Sequence, residues 1–154
     1  MMRKMRPRSI APSAAVVLVA IATGCGSSAS SGSGLSHAAL VTRVNAVCKH
    51  HSEIVTAAAS KVLAGGKLPT PAVFGKLAHQ TIIPQYAAMI GTLSVLKPAS
   101  GGAAKYQAWL TLSRATLAKM QQNPGIIRSS ANFNGVNAEA RSLGFGTVCH
   151  IGPS

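Results

Sequence analysis

The sequence predicts an all-α fold, a small up-down four-helix bundle, on three observations. Apolar residues recur at three- and four-residue spacings in four stretches. Polar links containing Gly or Pro separate those stretches, and strict strand-like alternation is scarce. About 120 residues follow a Gly/Ser-rich tract, enough for one domain and not two. No repeat of 20–50 residues is visible.

The first helix is expected from Ser36, an N-cap, to Ala64, where Gly65-Gly66 stops it. Leu40, Val44, Val47, His51, Ile54, Ala58 and Val62 form its stripe, with Cys48 beside it and Lys49 and Glu53 pointing away. Thr70-Pro71 opens the second helix, because proline fits the first helical position. That helix runs to about Leu96, with a kink expected near Pro84, which removes a backbone donor. Its apolar face changes there, from Val73, Leu77 and Thr81 to Ile82, Tyr86, Met89, Leu93 and Leu96. The third helix spans about Ala103 to Asn123 and buries Tyr106, Leu110, Ser113, Leu117 and Met120, with Trp109 flanking. A fourth lies within Ser130 to Leu143, aligns Phe133, Val136, Ala140 and Leu143, and takes Gly144 as its C-terminal cap.

The chain before this domain reads as an export signal. Arg3, Lys4, Arg6 and Arg8 precede an apolar run from about Ile10 to Ala22 whose dense part is shorter than the ~20 residues a membrane span needs. Ile21-Ala22-Thr23-Gly24-Cys25 resembles the bacterial lipobox. The resemblance implies removal of residues 1–24 and a diacylglyceryl thioether on Cys25, with an acyl chain such as palmitate. The plainer alternative is an ordinary secretory signal with a coincidental cysteine. Residues 25–35 then form the lipidated Cys25 and a Gly/Ser tether, a coil of about 15–18 Å r.m.s. span. Residues 36–154 form the domain. The expected location is the extracytoplasmic face of the cell membrane, reached through the Cys25 lipid.

With Cys25 acylated, Cys48 and Cys149 remain as an even pair in an oxidising compartment. A structural disulfide between them would close a loop of about 100 residues, to which the chain-entropy model credits up to roughly 4.7 kcal/mol. A core with only six aromatics favours such a staple. Redox-active pairs usually show Cys-x-x-Cys spacing, which is absent. Asn45-Ala46-Val47-Cys48, with Leu143-Gly144-Phe145 shortly before Cys149, also resembles a group of small actinobacterial lipoproteins. That group carries a lipobox, about four helices and this cysteine pair. The resemblance implies the fold, the disulfide and the envelope location, and no catalytic activity.

Of fifteen Lys and Arg, four lie in the leader, leaving eleven against Glu53 and Glu139, a formal +9. The cations are dispersed, so a plain solvated surface accounts for them. If they bind, the partners outside the membrane are anionic lipid, wall polymer or an envelope protein, and nucleic acid is not expected.

The residue inventory argues against an enzyme. Two glutamates and no aspartate leave little material for paired-carboxylate chemistry, a Ser-His-Asp triad or a di-iron bundle site. No phosphate-loop or His-Glu-x-x-His motif occurs, and no catalytic residue is assigned. One constellation remains. A Cys48–Cys149 bridge would draw His51 and His150 together, with His50 adjacent, and imidazoles suit Cu or Zn. With reduced thiols, Cys48, His51, Cys149 and His150 could form a tetrahedral set. The simpler reading makes His51 a partly buried helix residue and leaves His50 and His150 exposed, with no cofactor. The expected function is a non-enzymatic binding or interaction module, the alternative a metal or small-ligand carrier using His51, His150 and the bundle interior.

Overall fold

The computed structural model describes residues 34–64, 66 and 68–153. The expectations for the export signal, for Cys25 and for nearly all of the tether lie outside them. Among the described residues the buried core runs from Leu40 to Ile151, with Leu35 packed against it.

The described residues form an all-helical fold. Among the described residues there is no strand, and one isolated bridge pairs Leu35 with Pro98. Helix α1 spans His37–Leu63 and begins where the Ser36 hydroxyl accepts from the Ala39 amide at 3.3 Å. Helix α2, Pro71–Leu77, is capped in the same way by Thr70, which accepts from the Val73 amide at 3.3 Å. A π turn over Ala78–Ile82 carries it into α3, Ile83–Ser94. The disturbance expected at Pro84 takes this form. Pro84 supplies no amide proton and its ring crowds the carbonyl four residues back, so a widened turn accommodates both. Helix α4 covers Ser100–Gln122, and α5 covers Asn134–Ser142. Short 3₁₀ turns occupy Pro124–Arg128, Ser130–Phe133 and Thr147–Cys149, so the expected fourth helix is a 3₁₀ turn followed by α5. No helix among the described residues is long and apolar enough to cross a membrane.

The helices pack α1 on α3, α3 on α4 and α4 on α5. Tyr106, Trp109 and Phe145 form the aromatic centre, with the Trp109 and Phe145 rings 4.9 Å apart. The Tyr106 hydroxyl donates to the Leu93 carbonyl at 2.8 Å, and burial pushes its pKa up to about 12. Two expected core positions, Ile54 and Val73, are exposed. Ile54 is 37% exposed and Val55 packs inward in its place, because the α1 stripe runs through Leu40, Val44 and Cys48. On α2, Val73 is 46% exposed and Thr81 half-buried, while Phe74, Leu77 and Ala78 face the core. Leu117 is only partly covered. Leu35, assigned to the tether by sequence, belongs to the folded unit: its amide donates to Lys97 and its carbonyl accepts from Ala99.

A strap follows α5 and recrosses α1. Gly144, with φ +76°, turns the chain out of the helix, and the Phe145 amide closes back onto the Ala140 carbonyl at 3.0 Å. The Asn45 Oδ1 accepts from the Gly146 amide at 2.8 Å. One turn along α1, Cys48 is bonded to Cys149, with Cα atoms 4.9 Å apart and a sequence separation of 101. Asn137 then holds Ile151 at both backbone groups, at 2.8 and 3.0 Å. Finally the Gly152 amide donates to the Tyr86 hydroxyl at 3.2 Å. Gly152 has φ +90°, and a Cβ there would overlap the Phe133 ring, so the strap can end in this path only with glycine.

Candidate functional site

The C-terminal half of α1 meets α2 around an open apolar cleft of about 340 Å³. One wall is α1 itself, where Val55, Ala59 and Val62 recur at helical spacing and Leu63 closes the row. Opposite stand Phe74 and Leu77 of α2 and Ile82 of the π turn. The α1–α2 link adds Leu68 and Pro69 at the mouth, and Leu68 is 87% exposed. Tyr86 on α3 and Ile127 in the first 3₁₀ turn also line it, and Gly152 and Pro153 bring the strap to its edge.

Among the described residues no side chain fills the cleft. No residue of α1 beyond Cys48 is fully buried, and none of α2 is. Leu63, 48% exposed, stands at the rim where a packed core would have covered it. Of the fourteen lining residues only Tyr86 and Arg128 carry polar side chains, and only Arg128 is charged. The Arg128 guanidinium carbon lies 5.6 Å from the Phe74 ring centroid, a cation–π contact that sets the charge over the apolar wall. Burial raises the Tyr86 pKa, against a smaller lowering by its bond from Gly152. Its phenol is therefore a neutral lining group. Such a surface can hold an apolar body and orient a polar end, and it carries no nucleophile paired with a base.

The histidines singled out in the sequence are placed differently. His50 is exposed, with its ring 5.1 Å from that of His51. His51 is half-buried, and its Nδ1 is bonded to the Gln85 Oε1 at 2.8 Å. His150 is half-buried too, not exposed, with an enclosed Nε2 that has no partner. Desolvation, with a smaller contribution from the Arg141 charge, holds its pKa below 6.5. Among the described residues no three His, Cys, Asp or Glu side chains gather as a metal set. Both thiols of the tetrahedral alternative are engaged in the disulfide. Glu53 faces solvent and lies 3.9 Å from Lys49.

Sequence reasoning missed the cleft and its cation. Arg128 is one of eleven dispersed charges, and only its position after Pro124-Gly125-Ile126-Ile127 marks it as the end of an apolar turn. Comparison with protein-family models, curated proteins and solved structures gave no match, so the geometry itself carries the functional argument.

Proposed function

We propose that this chain is a non-enzymatic binding module of the cell envelope. In this reading the lipid on Cys25 holds it at the extracytoplasmic face, and an up-down bundle presents the cleft to a small apolar ligand. The observation that carries the reading is the cleft: about 340 Å³, an almost wholly apolar lining, and exposed leucines at its mouth. That volume lies within the range of small-ligand sites, about 300–1,000 Å³. The lipobox-like segment supports the anchor, and the scarcity of carboxylates supports binding over catalysis.

Residues 31–154, oxidised, test the reading with the neutral dye Nile red. One saturable site per chain is expected. Ala59→Phe, which fills the cleft, should abolish it, while Ala72→Phe on the exposed face of α2 should not. Dye uptake that ignores Ala59→Phe would contradict the assignment. For the anchor, Cys25→Ala should release the chain from the membrane fraction, and full retention would contradict it.

A further inference from the structure

We propose that the ligand of the cleft is a long-chain carboxylate, with its alkyl chain along the α1–α2 wall and its headgroup on Arg128. This rests on the apolar-ligand reading above and names the class of ligand. A purely apolar guest would leave Arg128 without a role, whereas an amphiphile uses both parts of the surface.

Charge complementarity selects the sign. Among the described residues Arg128 is the one charged group of the lining, and its guanidinium is held over Phe74, itself a wall residue. The chain has two carboxylate side chains. Glu53 lies beside Lys49, Glu139 sits on α5, and neither lines the cleft. Among the described residues that ion pair is the only one, so the guanidinium keeps its fork of donors for an incoming anion. The Tyr86 phenol adds no competing negative charge.

Charge also favours a free ligand over the chain's own lipid, whose acyl chains are bound as esters and bring no carboxylate to Arg128. Leu35 is fixed beside Lys97 and Ala99, at the start of α1, while the cleft begins at Val55. At 1.5 Å per residue, Val55 stands about 27 Å along the helix from His37. The nine residues Gly26–Gly34 reach at most about 30 Å when fully extended. An acyl chain added to that tether covers the distance, so the headgroup and not reach separates the two sources.

The test titrates residues 31–154 with n-alkanoates and with n-alkanols of the same lengths, below their micelle concentrations. Affinity should rise about fourfold per added methylene, the equivalent of about 0.8 kcal/mol, until the cleft is full. At low salt the alkanoate should bind about fivefold tighter than its alkanol, a preference that shrinks as salt rises. Arg128→Gln should erase the preference for acid over alcohol of equal length, and Arg128→Lys should keep part of it. Equal binding of acid and alcohol, or a preference that survives Arg128→Gln, would overturn the carboxylate and leave the apolar cleft standing. Binding of neither class would overturn both readings. A lipidated full chain that refuses an alkanoate its unlipidated form accepts would show that the cleft houses the Cys25 lipid, which also overturns the proposal.

Discussion

The two halves of α1 differ sharply in what they bury. The N-terminal half buries Leu40, Val44 and Cys48 completely and is crossed by a strap fixed through Asn45, the disulfide, Asn137 and Tyr86. The C-terminal half buries no side chain completely and leaves Ile54 and Leu63 open to water. One helix is thus closed at one end and available at the other. The closed end supplies the stability that lets the open end forgo packing. A chain with so few aromatics could not leave several leucines uncovered without a staple elsewhere.

Removing that staple is the strongest way to break the contrast. Cys48→Ser with Cys149→Ser should cost up to about 4.7 kcal/mol in urea unfolding, because a loop of this length loses much entropy on closure. An unchanged midpoint would mean that the strap is held by its hydrogen bonds alone. Next in size, Leu40→Ala at the closed end should cost about 2–5 kcal/mol. Leu63→Ala at the open end should stay within about 0.5 kcal/mol, as an exposed position does. Similar costs at both sites would dissolve the distinction between the two ends.

Asn137→Ala sharpens the comparison from the side of the strap. It deprives the Ile151 amide and carbonyl of their partner, which should cost about 1–3 kcal/mol. It should also weaken ligand binding, since Gly152 and Pro153 edge the cleft. Full stability with full binding would disconnect the strap from the site.

Acid titration gives the smallest effect. His150 is held below 6.5 by burial and by Arg141, so the unfolded chain takes up the proton at higher pH than the folded one. Its contribution is complete above about pH 6.5 and is lost as pH falls toward the folded value. Thermal melts from about pH 7 down to about pH 5 should decline, and His150→Gln should flatten part of that decline. A parallel decline in the variant would assign it to other groups.

Helix ends, the face of α4 and the cysteine pair are legible in the sequence, whereas the face of α2, the side-chain bonds of the strap and the cleft are not, for a physical reason. Ser36, Thr70-Pro71 and Gly144 set helix ends through bonds to residues one turn away, and local chemistry of that kind is written in local sequence. The face of α4 was equally plain, because Tyr106, Leu110, Ser113 and Met120 hold one register over a long helix. Cys48 and Cys149 could be paired by counting. The face of α2 could not be read, since seven residues admit several stripes and Phe74 is turned inward by what lies across from it. Asn45 and Asn137 act across 101 and 14 residues, and nothing local announces either bond. The cleft is harder still. It is assembled from α1, α2, the π turn, α3, a 3₁₀ turn and the strap, and it exists because side chains fail to meet. An apolar stripe in sequence looks the same whether or not anything covers it.

The most direct test of the whole account is a methyl NMR titration of residues 31–154 with decanoate. Saturable shifts are expected at Val55, Val62, Leu63, Leu68, Leu77 and Ile82, while Leu40 and Val44 stay in place. Silence at every methyl, or shifts centred on Leu40 and Val44, would contradict it.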